Sequence, residues 1–201
     1  MHPSPAFRVE DEAVLLAHLA ARPFVTLAAV VAGRPIVAHA PVVVRRLADG
    51  LALDFHLSRG NALAPALAVG FRAVAVSLGP EAYVSPDWYD DKDQVPTWNY
   101  VSVEAEGPVM ALDDVGLVAL LDALSAQEEG RLLPKRPWTR AKMSPGKFEK
   151  MTRAIIGARL TVERLEGITK LSQNKPQADR VGVIDALGDH PIAGLMRALP
   201  A

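Results

Sequence analysis

Apolar side chains recur at Val14, Leu15 and Leu19 between Glu10 and Arg22, with Asp11 placed to cap. This predicts an amphipathic helix, ended by Pro23. Phe24 to Ala32 and Pro35 to Val44 read as strands joined at Gly33-Arg34, and Leu51 to Leu57 as a third strand after Asp49-Gly50. A two-residue turn at Asp49-Gly50 would set Val43 opposite His56 and Pro41 opposite Ser58. His39, Pro41 and Val43 would then share a polar face with Asp54, His56 and Ser58, opposite an apolar face of Leu53, Phe55 and Leu57. Gly60 to Val69 reads as a short helix shaped by Pro65. Phe71 to Leu78 is apolar on both faces, as a buried central strand would be, and Gly79-Pro80 is expected to turn the chain.

Ser85-Pro86 opens a capped helical turn, and Asn99 to Leu112 is a long strand bent near Gly107-Pro108. Asp113 caps a helix that carries Leu117, Leu120, Leu121 and Leu124 on one stripe. A basic loop from Gly130 to Arg140 contains Trp138, and a short helix starts at Ser144-Pro145. Ala158 to Leu165 is the expected last strand and Ile168 to Lys175 a polar connection. Val181 to Leu187 and Ile192 to Leu199 form a helical tail within residues 176–201. Strands in a run with helices at the ends give an α+β fold, a barrel with peripheral helices rather than a βαβ fold, and one domain over residues 1–201.

Composition narrows the function classes. Half of the 201 residues are hydrophobic, and 22 Lys and Arg stand against 23 Asp and Glu, for a formal charge of −1. A general nucleic-acid binder would show a basic excess or stripe. The chain has no cysteine, which removes disulfides, thiolate metal sites and cysteine nucleophiles. The N-terminal Met1-His2-Pro3-Ser4-Pro5 lacks a signal pattern, and no window reaches the roughly 20 apolar residues of a membrane span. The expectation is a cytoplasmic protein without membrane contact.

Three polar clusters carry candidate chemistry. His56-Leu57-Ser58-Arg59-Gly60-Asn61 joins a strand to a helix, and its hydroxyl, guanidinium and helix-start amides suit a phosphate. Simple capping is the competing reading. Lys170-Leu171-Ser172-Gln173-Asn174-Lys175 either closes over a ligand or is an exposed loop. Val95-Pro96-Thr97-Trp98-Asn99-Tyr100 sets flat aromatic area beside amides, as the wall of an interface or of a pocket for a planar ligand, or as a strand start with its rings packed inward. A planar heteroaromatic with a phosphate tail, such as flavin mononucleotide (FMN), would use all three clusters. His39, His56 and Asp54 lack a third convincing metal ligand. No nucleophile elbow, Walker A or dinucleotide fingerprint is present.

Gly79-Pro80-Glu81-Ala82-Tyr83-Val84-Ser85-Pro86-Asp87-Trp88-Tyr89, Val95 to Tyr100 and Lys170 to Asn174 resemble the PaiB family of FMN-binding negative transcriptional regulators. The resemblance covers nearly the whole chain. It implies an FMN-binding split β-barrel like that of pyridoxamine-phosphate-oxidase-type flavoproteins, and a homodimer with flavin between subunits. The family segment Gly-His-Leu-Ala-Arg-Ala-Asn-Pro becomes Phe55 to Ala62 here, keeping His56, Arg59 and Asn61 and substituting Ser58 and Gly60. The family's His-Leu-Pro is His39-Ala40-Pro41. The cofactor-binding candidates are His39, His56, Ser58, Arg59, Asn61, Trp98, Asn99, Lys170, Ser172 and Gln173, with FMN as cofactor and no catalytic residue singled out. The implied function is a transcriptional regulator acting through flavin or protein contacts, and the alternative is a small flavin-dependent oxidoreductase. Direct DNA binding rests on the family description alone, since no reading helix is evident.

Overall fold

The computed structural model describes residues 2–199, so the last two residues of the expected 176–201 tail lie outside it. In chain order its regular elements are β1 (Arg8–Val9), α1 (Glu12–Ala21), β2 (Phe24–Val31), β3 (Arg34–Pro41), β4 (Val43–Leu47), β5 (Gly50–Ser58), β6 (Phe71–Val84), β7 (Thr97–Ala111), α2 (Asp114–Gly130), α3 (Lys147–Thr152), β8 (Ile155–Val162), β9 (Arg164–Lys170), α4 (Gln177–Leu187) and α5 (Pro191–Arg197). The strands order as β3-β2-β6-β7-β8-β5-β4, and β9 pairs with both β1 and β7. Two compact units result. The first holds the residues up to His18, Leu78–Val103 and those from Glu166 onward; the second holds Leu19–Ser77 and Glu104–Leu165.

Local signals act where the sequence places them. Asp11 accepts from Ala13 N at 2.8 Å at the head of α1, and Asp113 from Gly116 N at 2.7 Å at the head of α2. Ser85 caps the 3-10 turn Pro86–Trp88. In the second unit, β2 alternates strictly, burying Val25, Leu27 and Ala29 against Ala38 and Ala40 of β3 and Ala73 and Ala75 of β6. Phe55, Leu53 and Leu160 are fully buried, each contributing roughly 1.5–3 kcal/mol.

The strand registers differ from expectation in instructive ways. The β2–β3 turn is Ala32-Gly33, since Val31 pairs with Arg34. The chain breaks at Val42, whose N–H donates to Pro23 O at 2.8 Å, so β3 stays with β2 while β4 turns to β5. Leu47 pairs with Gly50 and Val43 with Asp54, which makes Ala48-Asp49 the turn. Gly50 has φ +146°, a conformation side chains rarely adopt, so its glycine is needed to open the strand rather than to centre the turn. The slip is two residues, so Asp54, His56 and Ser58 keep one face with Val43 and Arg45. His39 does not join them, because it sits on β3 opposite Thr26. The expected face with two histidines is not formed.

Gly79-Pro80 does not turn the chain either; β6 runs through it to Val84. A Cβ on Gly79 would lie 2.8 Å from the Val101 Cβ, so this glycine serves close backbone approach. After β8 the chain passes through Glu163, whose N–H donates to Glu106 O at 2.9 Å, and continues along β7 as β9; Ile168, expected in a polar connection, is buried in that strand. The expected helix from Gly60 to Val69 is a five-residue 3-10 helix, Ala64–Ala68, with Pro65 near its start. In the first unit α4 and α5 are core elements: Val183, Ile192 and Met196 pack with Ala82, Val84, Tyr89 and Leu171.

Candidate functional site

In the second unit the polar face of β5 begins at Asp54, which is 2% exposed. Arg45 Nε donates to its Oδ2 at 3.1 Å, and Arg159 donates through Nε to Oδ1 at 2.6 Å and through a terminal nitrogen to Oδ2 at 2.9 Å. The carboxylate is thus fully engaged, and its hydrogen bonds raise the Arg159 pKa. Among the described residues no three His, Asp or Glu side chains gather as metal ligands. Two residues on, His56 Nδ1 is buried with no hydrogen-bond partner among the described residues. Burial lowers the His56 pKa, so the ring is neutral near pH 7.

Past β5, local caps absorb part of the predicted phosphate cluster. Ser58 Oγ accepts from Gly60 N at 3.2 Å and Asn61 Oδ1 from Leu63 N at 2.9 Å. Ala64 N is bonded to Asn61 O, so this helix-start amide is engaged as well. Arg59 is different. Its Nε donates to Arg153 O at 3.0 Å, and its terminal nitrogens have no partner among the described residues. The side chain lines a cavity of about 480 Å³ together with Arg140, Arg153, Thr152 and Phe148. Arg140 stands 5.3 Å from the Phe148 ring centroid. Asp114 and Glu149 also line it, and Arg140 is paired with Asp122 at 3.1 Å, which leaves Arg59 and Arg153 as the main source of its positive charge. Arg153 carried no signal in sequence, because it meets Arg59 across 94 positions of chain, whereas Arg140 stood out only as the end of the basic loop. His39 is exposed, 3.2 Å from Thr26 Oγ1 and stacked with Phe24 at 6.3 Å.

In the first unit the other candidates lie close together. Asn99, fully buried, exchanges hydrogen bonds with Ser172 at 3.0 and 3.2 Å. That pair holds Ser172 at a φ of +59°, a left-handed conformation costing a β-carbon residue roughly 1 kcal/mol. The Gln173 amide is consumed internally, accepting from Leu171 N at 2.7 Å and donating to Thr169 O and Ala6 O. Lys170 Nζ donates to Thr97 Oγ1 at 2.5 Å. Burial, then the charge of Lys175, lower the Lys170 pKa. Trp98 is 53% exposed, edge-on to Tyr83 at 6.1 Å. Thr97, Tyr89 and Lys175 join this group; Thr97 and Lys175 fall within the polar clusters read from the sequence without being named as cofactor ligands, and Tyr89 lies outside those clusters.

The family described as "Putative FMN-binding domain" matches residues 1–164. The chain belongs to this FMN-binding family. It is 30% identical over 155 residues to "Protease synthase and sporulation protein PAI 2" of Bacillus subtilis, covering 77% of this chain and 73% of that protein. The resemblance to PaiB read from the sequence is borne out, and FMN is the cofactor. Among solved structures, a protein described as binding FAD and heme from Mycobacterium smegmatis superposes with a TM-score of 0.61 at 20% identity, over 87% of this chain and 78% of that one. The conserved hypothetical protein Rv2991 from Mycobacterium tuberculosis gives 0.60 at 15% identity, over 88% and 95%. These likenesses speak for the fold, an α+β split barrel as expected. The cavity of the second unit suits the phosphate end of such a cofactor through the half-committed Arg59 guanidinium beside Arg153; His56, with its unpartnered buried nitrogen, is not among the residues lining it.

Proposed function

We propose that this protein is an FMN-binding homodimer with a regulatory role exerted through flavin state or protein contacts. The observation that carries the cofactor assignment is Arg59, whose terminal nitrogens are uncommitted and line a cavity with Arg140 and Arg153. Arg59 would hold the phosphate, and the neutral His56 would offer a nitrogen to the cofactor. When bound, the flavin supplies one- and two-electron redox chemistry. In the first unit, exposed Trp98 is assigned to the subunit contact. An apolar face of the second unit supports dimerisation: Phe24 is 67% and Val37 59% exposed, beside an open groove of about 780 Å³ along Ala28, Val30 and Val69.

The relative's name ties it to protease synthesis and sporulation, and a regulatory role is inferred here by likeness. Direct DNA reading has little support. The most basic segment is largely neutralised by its own neighbourhood: Arg131 pairs with Glu128 at 3.2 Å, Lys135 with Glu129, and Arg140 with Asp122 at 3.1 Å. Such contacts leave few charges free to displace DNA counterions. The second reading, a small flavin-dependent oxidoreductase, is favoured by a cavity of about 290 Å³ in the first unit, with room for a small molecule. Two assays on the FMN-loaded protein test the choice. The regulatory reading expects no steady NADH or NADPH oxidation above free FMN, and no sequence-specific complex with its own upstream DNA at physiological salt. Sustained turnover would replace it with the enzyme reading; tight binding to native but not scrambled DNA would restore direct repression.

A further inference from the structure

The cavity of about 290 Å³ in the first unit is lined by Tyr89, Val95, Thr97, Lys170, Ser172 and Lys175 among others, and no carboxylate lines it. Neither lysine has a carboxylate within ion-pairing distance among the described residues. Lys170 meets Thr97 Oγ1 and lies 5.8 Å from the Phe7 ring centroid; Lys175 meets Gln94 Oε1 at 2.5 Å and lies 5.0 Å from the Tyr89 ring centroid. Two ammonium groups therefore face one small space, hydrogen-bonded directly only to neutral partners while the Asp91 carboxylate acts on Lys175 at longer range, so an anion entering the space would offset their mutual repulsion.

Around them are neutral donors. The Tyr89 hydroxyl is buried and makes no well-formed hydrogen bond among the described residues. Burial raises its pKa; the nearby Ser172 hydroxyl, already engaged with Asn99, lowers it only in part, and the charge of Asp179 raises it further. Tyr89 thus keeps its proton and can donate it. Ser172 is held in its left-handed conformation by buried Asn99, so the turn bearing it is set in advance of any ligand. Such fixed strain characterises ligand clamps more than exposed loops.

We propose that this cavity is a binding site for a small oxyanion, a carboxylate or phosphate group, held by Lys170 and Lys175 with Tyr89 and Ser172 as neutral donors. Its volume is at the low end for ligand pockets, and its apolar lining from Phe7 and Val95 suits a compact molecule behind the charged group. The site uses neither Arg59 nor His56 and goes beyond the FMN assignment.

Full-length protein, with and without FMN, would be treated with N-hydroxysuccinimidyl acetate in sodium phosphate, sodium benzoate or sodium chloride at matched ionic strength, and each lysine's acetylation measured by mass spectrometry. Protection of Lys170 and Lys175, with exposed Lys147 unchanged, is expected in phosphate or benzoate; whichever protects identifies the oxyanion. Lys175→Met should weaken that anion at least roughly tenfold, the loss of one charge-assisted hydrogen bond, and leave FMN affinity unchanged. Equal protection in chloride would overturn the proposal. So would phosphate competing with FMN, or Lys175→Met costing FMN as much as the small anion, since the cavity would then be the flavin's own phosphate site. The wild-type protection experiment stands even if the variant folds poorly.

Discussion

Arg59→Ala is the most informative single change in the proposed cofactor site. The guanidinium spends Nε on the Arg153 carbonyl at 3.0 Å and keeps its terminal nitrogens for a ligand. One charge-assisted hydrogen bond to a phosphate is worth about 1.5–3 kcal/mol. Its loss should raise the FMN Kd by roughly ten-fold to a hundred-fold. The folding cost is separate and small: one hydrogen bond at a solvent-exposed site, about 1 kcal/mol, or a Tm lower by roughly 2–4 °C in a chain of this size. Fluorescence titration with FMN at fixed ionic strength reads the first quantity and thermal unfolding without flavin the second. Arg59→Lys should fall between, since it keeps the charge but not the fork that binds two oxygens at once. An FMN Kd within twofold of wild type in Arg59→Ala would remove Arg59 from the site.

Other outcomes follow from the same structure. Asp54→Ala should lower unfolding free energy by about 3 kcal/mol in urea, the low end for a broken buried ion pair because Arg45 and Arg159 are each about one-third exposed; a loss under about 1 kcal/mol would contradict the triad. His56 has a folded pKa below its unfolded value near 6.5, so the unfolded chain takes up a proton first as pH falls, and stability should decline below about pH 6.5; His56→Gln should flatten that slope, and parallel slopes would exclude His56 as its source. Trp98→Ala should weaken dimerisation by about thirty-fold in concentration-dependent light scattering if Trp98 anchors the contact, and a wild-type monomer at micromolar concentration would reject the dimer itself.

What was legible in the sequence was mostly local. Caps at Asp11, Ser85 and Asp113 and the strand Phe24–Val31 depend on neighbours a few positions away, and they form where expected. The misread places depend on distant chain. Gly79 serves Val101, not a turn, and Val42 breaks its strand because its N–H finds Pro23. The break at Val42 keeps His39 on β3 opposite Thr26, away from His56, while the two-residue shift at Gly50 leaves Asp54 and His56 on one face. The site shows the same division. Arg59 and the Lys170–Lys175 run stood out as residue types, whereas Arg153 beside Arg59, and Tyr89 and Thr97 beside Lys170, are brought there by packing.

The central claim is that this chain binds FMN with its phosphate held by Arg59, in a sequence that carries no dinucleotide fingerprint. Its most direct test is the visible absorption spectrum of the purified protein, as isolated and through titrations with FMN and FAD. Perturbed flavin bands that saturate with FMN, with FAD at least roughly tenfold weaker, are the predicted result. No spectral change on adding FMN, or equal affinity for both flavins, would contradict it.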